Sequence, residues 1–437
     1  MIGTIEAGHR RHLVGNFQNG GENVHVAKEN PLAKTAEQNE RLTRVGPGTP
    51  MGDLLRRYWH PVGTALQLDE NPVRKVRLLG ENLTLFRSEG GEFGLIGEVC
   101  PHRCMNMAFG VPDPRGLRCG YHAWLYDVHG NCLEQPWEDR IQPELNFRDK
   151  IKIKAYPVQE LGGLIFAYLG PQPAPLLPRW DLLVRDDVDR ALEIQPIPCN
   201  WLQCMDNSFD PLHFEFLHAG FGNYQFERLG LPPGMTPAKH VDIAFDVFEY
   251  GVYKRRLLEG QALESADWTI GHPVLFPALL SIGDDERSGL HWRVPADDTH
   301  TLQFLYSTRR REAGAAPKPM RIETQVLFNE NRELVGTIDQ TIKQDIVAWV
   351  AQGPISDRTQ EHLSPGDKGI ILFHKLLNEN IERVARGEDP MGTVRDPAKN
   401  EPMIVIKRSR EHDRLFQIKT HMEPPLWQRA EEAGAKG

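Results

Sequence analysis

Two cysteine–histidine pairs carry the strongest chemical signal in this sequence. Cys100-Pro-His102 is followed on a later loop by Cys119-Gly-Tyr-His122, in a chain with six cysteines. Two thiolates and two imidazoles suit tetrahedral zinc. They also suit a [2Fe–2S] cluster in which two cysteines hold one iron and two histidines the other. Zinc modules usually space their ligands as Cys-x2-Cys or His-x3-5-His, and this segment has neither. A second group lies at Asp210, His213 and His218. On a helix Asp210 and His213 share a face, whereas His213 and His218 stand about 140° apart. A bend or bulge is needed to aim both imidazoles at one ion. Two neutral imidazoles and one distant carboxylate make the facial set of a non-haem ferrous centre, with positions left open for dioxygen.

The carboxylate must come from elsewhere in the chain, and Asp339, Asp345 and Asp357 are the candidates. Ile342 and Trp349 share a helical face with Asp345. A carboxylate in such an apolar stripe is costly unless paired or metal-bound, so Asp345 is expected to complete the set. Asp339 reads as a surface acid and Asp357, before Arg358, as an ion-pair partner.

The elements that must carry these residues divide the chain in three. Residues 1–46 form a polar extension without sustained periodicity. Residues 47–168 form a small all-β unit that opens with a short helix over 47–60, with Thr49 as N-cap and Pro50 at its first position. Its strand-like runs, such as Val76-Arg-Leu-Leu and Gly163-Leu-Ile-Phe-Ala-Tyr, are separated by turn residues. The break Gly170-Pro-Gln-Pro-Ala-Pro-Leu-Leu-Pro178 reads as a linker. Residues 169–437 read as a half-buried strand over 241–257, two strands within 290–309 around Asp297-Asp298-Thr299-His300, and helices over 331–352 and 373–386. The expected class is α+β: an N-terminal β domain, then an antiparallel sheet with helices packed on it in a helix-grip-like arrangement.

The segment Cys100-Pro-His-Arg…Cys119-Gly-Tyr-His-Ala-Trp…Asp127…Gly130 resembles the Rieske fingerprint. Followed by Asn200-Trp-x-Gln and Asp210-x2-His213-x4-His218, it has the layout of the α subunits of Rieske non-haem iron oxygenases, from about residue 39 onward. Asn39-Glu-Arg-Leu-Thr-Arg-Val-Gly-Pro-Gly-Thr-Pro-Met-Gly and Gln352-Gly-Pro-Ile…Asp357-Arg-Thr resemble the phthalate-dioxygenase branch. Respiratory Rieske proteins carry a disulfide between the ligand loops, and its positions are Met105 and Tyr121 here. Cys104 and Cys132 are offset and read as free thiols.

The resemblance implies a Rieske [2Fe–2S] cluster on Cys100, His102, Cys119 and His122, and Fe2+ on His213, His218 and Asp345, whose helix matches the family's Gln/Glu-Asp-aliphatic pattern. It further implies O2 as co-substrate, and Asp210 as a bridge between His122-type and His213-type ligands of adjoining subunits. Such head-to-tail contacts either close into a ring or propagate, and the expected assembly is a homotrimer, alone or stacked as a hexamer. No Gly-x-Gly-x-x-Gly opens a helix after a strand, so electrons from NAD(P)H are expected through a separate reductase, with or without a ferredoxin. The branch implies an aromatic carboxylate as substrate. A buried arginine would suit its carboxylate: Arg255, Arg256 and Arg293 lie on expected strands, Asn207 is a further candidate, and His240 and His272 are weaker ones. Ala167-Tyr-Leu-Gly-Pro-Gln-Pro-Ala-Pro-Leu-Leu-Pro-Arg-Trp180 and Gly271-His-Pro-Val-Leu-Phe-Pro277 resemble aromatic O-demethylase oxygenases acting on methoxylated, lignin-derived acids. Ring hydroxylation of a phthalate-like acid is the alternative, and an electron carrier using only the cluster a distant one.

Composition narrows the remaining classes. Lys+Arg 51 against Asp+Glu 60 gives a net charge of −9, with no basic block to grip phosphates. No apolar run approaches the roughly 20 residues of a membrane span. The N-terminus shows no apolar signal region, so the expected compartment is the cytoplasm.

Overall fold

The computed structural model describes residues 33–412 and residue 416, so most of the N-terminal extension lies outside the described residues. The part of it that is described contains a helix the sequence reading had not marked, Ala36–Thr43, closed by a capping box between Thr35 and Gln38. The expected helix over 47–60 is shorter, Pro50–Leu55, with Thr49 and Pro50 in their expected roles. Trp59–Thr64 instead pairs antiparallel with Leu164–Tyr168, and this long-range ladder overrides the local helical pattern.

The N-terminal unit contains three antiparallel sheets. Val73–Leu78, Glu81–Arg87, Phe93–Gly97 and Ala155–Tyr156 form one. The short strands Val111–Asp113, Gly116–Arg118, Leu125–Tyr126 and Cys132–Glu134 form the second, in line with the expected β unit. Between them sits a small core of its own: Phe86, Ile96, Met107, Leu117, Trp124 and Tyr126 pack around Cys100 and Cys119. The third sheet, built on Trp59–Thr64 and Leu164–Tyr168, packs against the C-terminal half, with Phe166 edge-on to Trp292 at 5.7 Å.

The C-terminal half is built on an eight-stranded sheet. Its order is His240–Phe248, Gly251–Leu258, His272–Leu275, Leu279–Gly283, Arg287–Pro295, Thr301–Arg310, Val188–Ile197 and Arg321–Thr324. All neighbours are antiparallel except the last pair. The strand expected over 241–257 is a hairpin turning at Glu249-Tyr250, and its first arm is the sheet edge. Val241 and Val247 of the expected apolar face are therefore exposed, while Ile243 is buried. The helix expected over 331–352 covers only Thr341–Ala351. Residues before it turn back through a left-handed Arg332 and a Phe328–Leu334 bridge. The last long helix is Lys368–Ala385.

One short helix anchors the site. Trp201–Phe209 is capped by Asn200, whose amide also donates to Thr43 O (2.9 Å) and Asp298 O (2.7 Å). Its apolar face buries Trp201, Leu202, Met205 and Phe209, with Phe209 stacked on Phe373 at 4.2 Å. Aromatic side chains so buried contribute roughly 3–5 kcal/mol each relative to alanine. Asp206 on the same helix accepts from Arg358 Nη2 and pairs with His374 Nε2, both at 2.7 Å. Burial would raise the Asp206 carboxyl, but His374 and the permanently charged Arg358 hold it down at about 2. This network pins the back of the helix while its far end carries Asn207 and leads into Asp210.

Candidate metal centres and active site

The two cysteine–histidine loops close in the same way. Cys100 N–H donates to Met105 O (2.9 Å) and Cys104 N–H to Cys100 O (3.0 Å); Cys119 N–H donates to Trp124 O (2.9 Å) and Ala123 N–H to Cys119 O (3.0 Å). The fourth residue after each cysteine is left-handed, with φ 57° at Cys104 and 59° at Ala123. Such backbone costs a non-glycine residue about 1–3 kcal/mol and persists only where the surroundings enforce it. The two hairpin-like loops thus face each other with Cys100 and Cys119 buried beneath and the His102 and His122 rings 4.5 Å apart above them. His102 stacks on Trp124 at 4.2 Å and 8°. Tyr126 Oη lies 3.4 Å from Cys100 Sγ, and burial pushes the Cys100 thiol up.

This donor set fits a cluster with one thiolate-held and one imidazole-held iron. His102 Nδ1 is buried and has no hydrogen-bond partner among the described residues, as a nitrogen reserved for a metal should be. Cys104 is exposed, Cys132 is buried, and both are free thiols, as expected.

The second constellation assembles through a change of helical winding. The helix stops at Phe209, Asp210 is its extended C-cap, and Phe214–Gly222 winds as a π-helix. Its i→i+5 repeat supplies the bulge that a five-residue spacing demands. Asp345 arrives from the helix Thr341–Ala351. Its Oδ1 lies 3.3 Å from His218 Nε2 and 3.6 Å from His213 Nε2. Ligand atoms about 2.1 Å from one ion stand roughly 3.0–3.4 Å apart, so a shift of a few tenths of an ångström closes the set.

The other ring nitrogens are also engaged. His213 Nδ1 lies 2.5 Å from the Asp210 main-chain carbonyl and His218 Nδ1 2.9 Å from Gln344 Oε1. Burial lowers His213 to about 3, so its imidazole is neutral, as metal ligation requires. Burial would raise Asp345, but His218, His213 and Arg293 outweigh it and keep the carboxyl low. Asn207 Nδ2 donates to Asp345 Oδ1 at 3.2 Å.

Of the other candidate carboxylates, Asp339 pairs with Lys343 (2.6 Å) and Asp357 caps its own turn through Thr359. Arg358 pairs with Asp206 and Glu361 rather than with Asp357. The Asp210 carboxylate accepts from Leu212 N–H (2.7 Å) and stands 3.8 Å from His213 Nδ1. Its side chain keeps 26% exposure, and burial raises its carboxyl.

A cavity of about 130 Å3 opens beside His213, His218 and Asp345. Its polar lining includes four basic side chains, Lys254, Arg256, Arg293 and Arg410, together with His272, His291 and His412. Arg293 is 2% exposed; its Nε and Nη1 have no hydrogen-bond partner among the described residues, and its guanidinium lies 5.0 Å from the Trp349 ring centre. Burial pushes it down to about 10, still charged near neutrality. Lys254 donates to Ser208 O at 2.8 Å, and burial with Arg256 nearby pushes it down to about 7.

The expectation for Arg255 fails. It pairs with Asp246 and donates to Trp268 O and Thr269 O, away from the cavity. Strand neighbours point to opposite faces, so Lys254 and Arg256 take the cavity side. Their period-two spacing was the available signal for Lys254, which the sequence reading missed. His272 lines the cavity, whereas His240 pairs with Glu215 (3.1 Å). Asp267, His272 and His412 form a second buried group able to approach one ion. Asp267 Oδ1, however, already accepts from Ser409 Oγ (2.6 Å), with His412 Nδ1 at 3.3 Å, and the neighbouring cations disfavour a further positive charge.

Residues 58–157 match the Rieske [2Fe-2S] domain family and residues 291–410 the family described as LigXa C-terminal domain like. The chain is 42% identical over 378 residues to the 5,5'-dehydrodivanillate O-demethylase oxygenase subunit of Sphingobium sp. (strain NBRC 103272 / SYK-6), covering 86% of this chain and 87% of that protein. It is 32% identical to phenoxybenzoate dioxygenase subunit alpha of Ectopseudomonas oleovorans, over 80% of this chain and 87% of that one. Against the phthalate 4,5-dioxygenase oxygenase subunit of Pseudomonas putida it is 30% identical, over 82% and 89%. In fold it is similar to NdmA of Pseudomonas putida CBB5, with a TM-score of 0.56 at 20% identity, covering 77% of this chain and 94% of that one. It is also similar to a chain of the reduced oxygenase–ferredoxin complex of carbazole 1,9a-dioxygenase, with a TM-score of 0.54 at 21% identity, covering 84% and 98%.

The chain belongs to the Rieske non-haem iron oxygenases, as a terminal oxygenase subunit. The family uses a Rieske cluster, a mononuclear iron, O2 and electrons from a reductase. No helix among the described residues is long and apolar enough to cross a membrane.

Proposed function

We propose that this protein O-demethylates a methoxylated aromatic acid of the kind released from lignin. The observation that carries the reading is Arg293, a buried guanidinium with two unpartnered nitrogens in the cavity that also exposes His213, His218 and Asp345. A buried cation is costly unless something pairs with it. A substrate carboxylate, held by Arg293 and Lys254, supplies that partner and fixes the ring relative to the metal. The 42% identity to an O-demethylase subunit favours the methoxy carbon as the site of oxidation.

In this reading Cys100, His102, Cys119 and His122 hold the cluster, and His213, His218 and Asp345 hold Fe2+. When bound there, the cluster would provide one-electron transfer and the ferrous ion the chemistry of dioxygen activation. The chain's own residues keep the His213 imidazole neutral by burying it, orient the acid through Arg293, and exclude bulk water from a cavity with an apolar wall of Phe214, Leu280, Ile282 and Ile342. The reaction balances as ArOCH3 + O2 + 2 e− + 2 H+ giving ArOCH2OH + H2O. The hemiacetal C–O bond then breaks, its hydroxyl proton passes to the phenolate oxygen, and ArOH and formaldehyde leave.

The division into 1–46, 47–168 and 169–437 assigns the extension, the cluster and the iron to separate parts of one chain. Tyr121, which contacts His122, and Phe216, three residues after His213 in the chain, are both largely exposed, which suits docking of one subunit's cluster against the next subunit's iron. Head-to-tail docking of this kind closes into a homotrimer, or a stacked pair of trimers, with Asp210 between the two centres. Electrons come from NAD(P)H through a separate reductase in the cytoplasm.

Ring hydroxylation of a phthalate-like acid is the second reading, favoured by the likeness to two dioxygenase subunits. Turnover of methoxylated aromatic acids with a surrogate reductase separates them. Demethylation releases about one formaldehyde per O2 consumed in coupled turnover. A diol product without formaldehyde rejects it.

A further inference from the structure

We propose that Gln344 is a positioning residue for the mononuclear iron: its side-chain carbonyl holds the His218 proton on Nδ1, so that bare Nε2 faces the metal. Gly222, we infer, is glycine because the Gln344 amide fills the space of its side chain. The proposal rests on the reading of His213, His218 and Asp345 as the iron ligands.

A neutral imidazole carries one proton, and the nitrogen that binds a metal must be the bare one. A hydrogen-bond acceptor placed against the other nitrogen decides which that is. His213 meets the carbonyl of Asp210 at 2.5 Å, an acceptor that no side-chain substitution removes. His218 depends on a side chain instead, with Gln344 Oε1 2.9 Å from Nδ1. Gln344 is fully buried and His218 is 1% exposed, so water cannot readily replace the amide. On the far side of the ring, Nε2 stands 3.3 Å from Asp345 Oδ1. A reversed amide would set N–H against Nδ1, drive the proton to Nε2 and block the metal.

Two features place the amide beside His218. A Cβ on Gly222 would lie 2.5 Å from both Oε1 and Nε2 of Gln344 and 2.7 Å from its Cδ, so the amide would have to leave its place. The π-helix Phe214–Gly222 thus presents His218 and, four residues on, the gap that receives its partner. On the other side, Gln344 and Asp345 are consecutive on the helix Thr341–Ala351. One helical turn therefore delivers both the carboxylate ligand and the group that orients an imidazole ligand. A sideways shift of that turn displaces both together.

The test is ferrous-iron affinity, read without turnover. Protein stripped of mononuclear iron but retaining the visible spectrum of its cluster is titrated anaerobically with Fe2+ against a chelator of known affinity. Gln344→Met removes the acceptor at similar length, and Gln344→Glu keeps it. The Met variant is expected to bind Fe2+ about 10–100-fold more weakly, with the Glu variant within about threefold of the parent. Gly222→Ala, which displaces the amide from the other side, is expected to weaken binding in the same direction. Parental affinity in the Met variant, or a Glu variant as weak as the Met variant, overturns the proposal. If the Met variant loses its cluster spectrum, the Glu and Gly222→Ala variants decide: a weak Glu variant or a parental Gly222→Ala overturns it. Undiminished Fe2+ binding by Asp345→Ala would bring down the ligand assignment itself, a failure distinguishable from these.

Discussion

Rings made only of His213→Ala subunits, or only of Cys100→Ala subunits, are expected to be inactive, whereas rings containing both should regain activity. In a head-to-tail ring each working unit needs a cluster from one subunit and an iron from the next. Random mixing of equal amounts satisfies both conditions at one half times one half, about a quarter of the junctions. Co-expression with two different affinity tags, and purification through both, isolates the mixed rings. The exposed Tyr121, next to His122 in the chain, and Phe216, three residues after His213, are the surfaces expected to meet. The Cys100→Ala chain should keep its mononuclear iron, because that site is built from the separate elements Trp201–Phe209, Phe214–Gly222 and Thr341–Ala351. Mixed rings with that iron in place and no regained oxygen uptake would contradict transfer between subunits.

The second large effect is at Arg293. Arg293→Met is expected to lower kcat/KM for a methoxylated aromatic acid by roughly 10²–10³-fold, the cost of about 3–4 kcal/mol for removing one partner of a buried, hydrogen-bonded charge pair. The methyl ester of the same acid offers no charge to pair and should lose much less. Without substrate the variant should unfold at a higher temperature than the parent. It removes a buried cation with two unpartnered nitrogens at the loss of one contact with the Trp349 ring. Lower activity with higher stability is the signature of a residue kept for its ligand. Equal losses for acid and ester, or a lowered unfolding temperature, would remove Arg293 from carboxylate recognition.

How far the site could be read from the sequence depended on how local its chemistry is. Cys100, His102, Cys119 and His122 were legible because each pair sits on one tight loop, where residue type and spacing nearly determine geometry. His213 and His218 were legible with a condition, a helical bulge, and the π-helix meets it. Asp345 was legible through cost, since a carboxylate between Ile342 and Trp349 needs a reason. Arg255 misled because the facing of a strand depends on its phase. That phase is set by where the hairpin turns, at Glu249-Tyr250, and by the bulge between His240 and Asp242. Gln344 carried no local signal, because it acquires its meaning from His218, 126 positions away; Lys254 was signalled only by its period-two spacing with Arg256, which becomes informative once the phase of the strand is known. The fold class followed from strand-like spacing and turn residues. The helix expected across 331–340 did not form, since that stretch is turns leading into Thr341 rather than a first helical half.

One chain is expected to house both a two-iron, two-sulfide cluster and a separate ferrous ion. Metal and acid-labile sulfide analysis of the reconstituted protein and two variants tests it directly. The parent should contain about three irons and two sulfides per chain, His213→Ala about two irons with both sulfides retained, and Cys100→Ala about one iron with no sulfide. Zinc in place of iron, absence of sulfide from the parent, or a third iron that survives His213→Ala would contradict it.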